Sequence, residues 1–256
     1  AVEILESWFL DTETRLTPHL DYGQAIRGRT DGRGIGIIET GDFVDLVNGI
    51  EMLKKSEAMT KETYEGLKQW FEDYTMWLIS SKNGWDERMY FNNHGSSYDS
   101  QVASFAIFAG MDSIATMVLD SVKVKRIDKQ IEPDGKQPFE LARTKAMSYS
   151  IKNARHLIEN AILAEKMGID LWSYTSPAGG SILKTLQYMV PFYLEDKEFT
   201  YEQIGGIEHH AEGLIELLHM TSLYVDDPFI QESIDNFPVS LPNDSMMHLL
   251  FPRCEE

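Results

Sequence analysis

Residues 43–78 read FVDLVNGIEMLKKSEAMTKETYEGLKQWFEDYTMWL, and the spacing of their apolar side chains decides the fold class. Phe43, Leu46, Val47, Ile50 and Leu53 recur at steps of three and four. After a polar break around Ala58, Met59 and Thr60 the same steps return in Tyr64, Leu67, Trp70, Phe71, Tyr74 and Leu78. Such steps place side chains on one face of a helix, so the stretch predicts two amphipathic helices joined by a short turn. Outward from it, helical spacing covers Tyr98 to Leu119, Val122 to Ile131, 141–167, Ser181 to Tyr193, Tyr201 to Leu223 and a short piece near 228–236. The turn signals Glu132-Pro133-Asp134-Gly135, Gly168, Pro177-Ala178-Gly179-Gly180 and Asp226-Asp227-Pro228 separate them. Convincing period-two alternation is absent; the one plausible strand is Gly34-Ile35-Gly36-Ile37-Ile38, which reads equally well as a buried loop. Successive helices with short connections favour antiparallel neighbours, so the expectation is an all-α array of helical hairpins in one domain, residues 1–256.

The chain has 256 residues, 43% of them hydrophobic, which suits a globular core. No run of about 18 apolar residues occurs, so no transmembrane helix is expected. The opening AVEILESWFL lacks the basic start and small-residue exit of a signal peptide, and Ala1 is not an initiator methionine, so the chain is expected to be processed, truncated or excised. Cys254 is the only cysteine, which leaves no intrachain disulfide. Beside Glu255 and Glu256 it is also a poor thiolate nucleophile. The net charge of −18 argues against general binding to nucleic acid or to an anionic membrane. Two basic islands interrupt this acidity. Leu119 to Arg155 holds nine basic against five acidic residues, and residues 15–33 hold Arg15, Arg27, Arg29 and Arg33 against Asp21 and Asp31. Such islands can hold an anion locally, although solvated helix faces explain them as well.

Two further segments carry polar chemistry. Residues 15–41 form a long glycine-containing loop whose GIGII portion argues for order, and long ordered loops are often functional. Glu208-His209-His210-Ala211-Glu212 with His219 gathers metal-ligand types, but adjacent histidines diverge by about 100° on a helix, so no metal site is expected. The polar joint FNNHGSSYDS, residues 91–100, lies at a helix entry where backbone N–H groups favour an anion. Arg143 opens the predicted helix 141–167, and Tyr149 lies six residues on, about 120° around it. The two converge only on an extended ligand or through an irregular first turn. From spacing alone, a capping network explains these residues as well as a catalytic site does.

Four ordered segments, RGRTDGRGIGIIET (27–40), NNHGSSYDSQ (92–101), RIDKQIEPDGKQPFELARTKAMSYS (126–150) and GIDLWSY (168–174), resemble the alginate lyase superfamily of polysaccharide lyases, in particular members with an NNHG-x-x-YD-x-Q signature. The resemblance runs from about Leu5 to about Tyr193. It implies an α/α toroid, a complete or incomplete barrel of helical hairpins, with relatives usually carrying more helices before the point where this chain begins. It also implies a secreted or periplasmic protein that acts on an acidic polysaccharide by β-elimination and requires no metal or cofactor. Carried over, the catalytic residues are Asn93, His94, Arg143 and Tyr149. Asn92, Tyr98 and Gln137 fall in the same motifs as substrate-binding candidates, and Gln24, Arg27 and Arg33 are polymer-subsite candidates from charge and loop position. Relatives often carry a bulky aromatic where Ser97 stands, which puts sugar stacking there in question.

The chemistry asks for such groups. Eliminating a 4-linked uronate, as in mannuronate-rich alginate or glucuronan, removes a C5 proton that is weakly acidic until the neighbouring carboxylate is neutralised. Asn93 and Arg143 suit that neutralisation, His94 or Tyr149 the proton abstraction, and Tyr149 the protonation of the leaving oxygen. A phenol, with an ordinary pKa of about 10, needs a cationic neighbour to act as base; Arg143, Lys145 and Lys152 are candidates. A non-catalytic carbohydrate-binding helical protein and an α/α-toroid glycoside hydrolase are the alternatives. The hydrolase requires a pair of carboxylates that no motif selects.

Overall fold

The computed structural model describes residues 1–195 and 197–251; Cys254 lies outside them. Among the described residues the regular structure is helical, and β-type pairing is confined to two isolated bridges, Ile26 with Thr30 and Lys145 with Gln203. None of these helices is long and apolar enough to cross a membrane. The chain divides into two compact units, Ala1–Tyr90 with Ser97–Val118, and Phe91–Ser96 with Leu119–Glu256.

In the first unit the two helices expected from residues 43–78 form as Phe43–Leu53 and Lys61–Ser80. Thr60 starts the second, its hydroxyl accepting the Thr63 N–H at 3.0 Å, which satisfies one of the unpaired amides of a helix start. Ser81 repeats the device for the next helix, Lys82–Arg88, by accepting from the Gly84 N–H at 2.9 Å. The apolar face of Lys61–Ser80 feeds an aromatic core. The Phe71 ring is fully buried, with centroids 5.1 Å from Trp70 and from Phe105, 5.5 Å from Phe108 and 5.8 Å from Phe9, the last supplied by the helix Val2–Phe9. Edge-to-face, tilted and stacked pairs of this kind add to the burial of apolar area.

Two expectations change in this unit. The run Gly34–Ile38 is no strand: residues Gly34–Thr40 form a 3-10 helix that buries Ile37 completely. A Cβ on Gly36 would lie 2.5 Å from the Gly23 carbonyl carbon, so the run coils tightly against the preceding loop. The helix expected over Tyr98 to Leu119 is broken into Asn93–Ala109 and Asp112–Val122. Gly110 takes φ +82° there and the Met111 N–H bonds back to the Ala106 carbonyl at 2.7 Å, a left-handed helix stop available mainly to glycine.

In the second unit the helix Ala146–Lys166 is central, with Leu157, Ile158 and Ala161 fully buried and the helices Ile182–Met189 and Ala211–Ser222 packed on it. It stops at Gly168, φ +73°, as expected. Its buried face also carries amides. Asn153 Nδ2 donates to Gln130 Oε1 at 2.9 Å and to Gln137 Oε1 at 2.7 Å, which ties three segments together through groups that are costly to leave unpaired. The helix expected over 141–167 is therefore present only from Ala146; Pro138–Leu141 is a separate short turn of helix. Likewise, residues 201–207 are not helical. Gly205 and Gly206 adopt φ +91° and +80°, and helix resumes with Glu208–His210 and Ala211–Ser222. The expected helix Val122 to Ile131 contains a wide π turn, Lys123–Ile127, before Asp128–Gln130.

Candidate active site

The helix Asn93–Ala109 begins at the polar joint. Asn92 precedes it, and its Oδ1 accepts the His94 N–H at 3.1 Å, a cap on the first turn. Asn93 is 1% exposed and is held by Glu140. Its backbone N–H donates to Glu140 Oε1, and its Nδ2 donates to Oε1 at 3.0 Å and to Oε2 at 2.9 Å. The Asn93 amide, expected to donate to a substrate, is thus occupied by a carboxylate of the same unit.

Glu140 sits on Pro138–Leu141, is fully buried, and has Arg143 Nη1 at 3.6 Å from its Oε2. Burial pushes its carboxyl above the usual range. The hydrogen bonds from Asn93 and the charges of Arg143 and His94 offset only part of that.

The helix break decides how Arg143 and Tyr149 meet. Residues 144–146 pair with 202–204: the Ile204 N–H donates to the Thr144 carbonyl and the Ala146 N–H to the Glu202 carbonyl, both at 3.0 Å. Lys145 accordingly leaves helical geometry, with φ −130° and ψ 55°. On a continuous helix Arg143 and Tyr149 would diverge. Across this break the Arg143 guanidinium carbon lies 3.5 Å from the Tyr149 ring centroid, a cation stacked on an aromatic face. The Arg143 side chain is 30% exposed, and its Nη1 is buried with no hydrogen-bond acceptor. The cluster therefore offers a partly exposed positive charge, fixed flat on a half-buried phenol, with its buried Nη1 turned toward Glu140.

The other candidates lie as follows. His94 is half-buried on the first turn of its helix. Gln137 is 1% exposed, with Nε2 bonded to the Ser150 carbonyl at 3.0 Å and Oε1 to Asn153, so its amide is spent inside the unit and not offered to a ligand. Tyr98 is likewise a core group: it is 1% exposed and its hydroxyl donates to the Leu78 carbonyl at 3.0 Å. Ser97 is fully buried and accepts from Gln101 Nε2 at 3.1 Å. Gln24, Arg27 and Arg33 belong to the first unit. Gln24, at φ +49°, accepts from Arg33 Nε through its carbonyl and from Arg33 Nη2 through Oε1, both at 3.1 Å, which leaves Arg33 lining a cleft of about 700 Å³ with Lys82, Trp85 and Tyr90. Arg27 is exposed. Among the described residues no group of three or more His, Cys, Asp or Glu side chains gathers as a metal site.

Glu140 and Gln203 went unrecognised in the sequence. Glu140 stands three residues before Arg143, an ion-pair spacing legible in ELAR. Gln203 carries no local signal, because its role depends on pairing with residues nearly sixty positions away.

Comparison with known proteins agrees with this picture. The alginate lyase family model matches residues 1–199. Among solved structures the chain is similar to an alginate lyase from Bacteroides ovatus, at 33% identity and a TM-score of 0.92, covering 98% of this chain and 66% of that one. A histidine-to-alanine variant of alginate lyase A1-III complexed with tetrasaccharide is 13% identical with a TM-score of 0.68, covering 93% and 63%. The apo form of the same variant gives 14% and 0.59, covering 76% and 56%. These last two show likeness of fold alone. The chain spans two thirds or less of the length of these solved structures. A search of the curated proteins found no match. The all-α fold is of the α/α-toroid class that the motifs implied. With the family model matching most of its length, the chain belongs to the alginate lyase family.

Proposed function

We propose that the protein is a polysaccharide lyase that cleaves a 4-linked uronate polymer, alginate or glucuronan, by β-elimination. The observation that carries this reading is Arg143, whose guanidinium is stacked 3.5 Å from the Tyr149 ring on a side chain that remains 30% exposed. A guanidinium held this way can pair with a uronate carboxylate, and neutralising that carboxylate makes the C5 proton removable. His94 or Tyr149 takes the proton from C5, leaving an enolate-like dianion beside Arg143. The C4–O bond then breaks, C4 and C5 become doubly bonded, and Tyr149 returns a proton to the departing oxygen. Asn93 joins this cradle by exchanging its bond to Glu140 for one to the substrate carboxylate. The Bacteroides ovatus relative, named as an alginate lyase, supports the same substrate class. A secreted or periplasmic location follows from a polymer that cells meet outside the cytoplasm. A hydrolase reading is weaker, because the carboxyl of this cluster, Glu140, is fully buried and bonded to Asn93.

Incubation with polymannuronate, polyguluronate and glucuronan tests the reading, by following the ultraviolet absorbance of the unsaturated uronate. Absorbance that rises with new reducing ends supports a lyase. Reducing ends without absorbance indicate a hydrolase, and binding without either indicates a non-catalytic carbohydrate binder.

A further inference from the structure

The start of the helix that carries Tyr149 is capped from a distance. Its side-chain acceptor is Gln203, whose Oε1 receives the Met147 N–H at 2.9 Å and the Ser148 N–H at 3.2 Å. These are two of the amides that a helix start leaves unpaired. The Tyr149 N–H closes the same first turn on the Lys145 carbonyl at 3.0 Å, and Lys145 is the residue bridged to Gln203. The other end of the Gln203 amide faces a histidine: Nε2 lies 3.0 Å from His210 Nε2. With Oε1 committed to the helix, Nε2 must donate, and the imidazole nitrogen must accept. His210 is then neutral and carries its proton on Nδ1. A protonated His210 presents an N–H to an NH₂ group. Turning the amide over relieves that clash only by pointing the NH₂ at the Met147 and Ser148 N–H groups.

We propose that Gln203 is a positioning residue for Arg143 and Tyr149, and that His210 gates it: the helix cap and a charged His210 exclude one another, so protonation loosens the turn that joins the two site residues. Burial is the main cause holding His210 below the usual imidazole range, with His209 on its own turn, Lys145 on the paired segment and Lys152 on the capped helix acting in the same direction. The positioning role rests on the lyase reading for its effect on turnover, but the gate itself does not.

Hydrogen exchange at the Met147 and Ser148 amides of the intact chain, corrected for intrinsic rates and followed from about pH 5 to about pH 8, reads the gate without substrate. In the parent protein protection should fall as the solution is acidified. His210→Gln should abolish that pH dependence, and Gln203→Ala should remove the protection at every pH. Gln203→Glu should keep protection to lower pH, because a carboxylate accepts from the helix amides and from a charged imidazole alike. In the uronate assay Gln203→Ala should lower kcat by roughly tenfold to a hundredfold with KM changed less than about twofold, as expected when reacting groups are displaced rather than removed. Protection that is the same in the parent and in Gln203→Ala, or a pH dependence that survives His210→Gln, overturns the proposal. An absence of lyase activity in the parent overturns the functional reading and leaves the exchange result to decide the gate.

Discussion

At the scale of single residues, three groups of the proposed site, the Glu140 carboxyl, the Arg143 guanidinium and the Tyr149 phenol, make contributions that can be read apart. Tyr149→Phe keeps the ring under Arg143 and removes only the hydroxyl, so turnover should fall by roughly 10²- to 10⁴-fold with little change in KM. Arg143→Lys keeps the charge but loses the flat stack and the forked donor. It should lower kcat/KM by roughly 10²- to 10³-fold while the helical circular dichroism stays unchanged. Equal activity in that variant would show that the guanidinium plane is irrelevant. Glu140 makes a different prediction, on stability. Its carboxyl is raised above the ordinary 4.5, so the contribution it makes to folding is present below that pH and is lost as the pH rises through the folded-state value. Glu140→Gln still accepts the Asn93 N–H but turns an NH₂ toward Asn93 Nδ2 and Arg143 Nη1, so its melting temperature at neutral pH should fall between those of the parent and Glu140→Ala. Glu140→Ala leaves Asn93 donors buried without an acceptor and should cost about 1–3 kcal/mol in a denaturant titration. A Glu140→Gln protein less stable than Glu140→Ala would contradict this account of the charge.

At the scale of elements, the decisive event is the interruption between Pro138–Leu141 and Ala146–Lys166. Apolar spacing across 141–167 is continuous enough to read as one helix, and nothing in residues 142–145 forbids it. What breaks it is the segment 202–204, which takes the Thr144 carbonyl and the Ala146 N–H for its own backbone. His210, whose ordinary value of 6.5 is lowered in the fold, works in the opposite sense to Glu140. Its contribution to stability is complete above that pH and is lost as the pH falls toward the folded-state value. Melting temperature should therefore drop on acidification through this window, and His210→Gln should flatten the drop; an unchanged profile would remove His210 from the account.

At the scale of the molecule, packing and charge make separate predictions. Phe71 contacts rings from three other helices and is fully buried, so Phe71→Ala should destabilise by about 3–5 kcal/mol in chemical denaturation. A loss below about 1 kcal/mol would mean that the aromatic cluster collapses around the gap. The net charge of −18 would repel a polyanion at long range, whereas the proposed contact with Arg143 would attract it. The screening length shrinks from about 30 Å at 0.01 M salt to about 8 Å at 0.15 M, so KM for an acidic polymer should first fall and then rise as salt increases. A monotonic rise would mean that the local basic island dominates at every range. The sequence by itself determined the all-α class, through apolar steps of three and four in segments such as 43–78. It also determined the helix entry at Asn93 and the stop at Gly168, because these features arise from residues close together in the chain. Only the tertiary structure decided that Gln137 and Tyr98 are internal, that Asn93 is held by Glu140, and that Arg143 lies on Tyr149. Each depends on which distant backbone or side-chain group satisfies a buried donor, and no local periodicity carries that information.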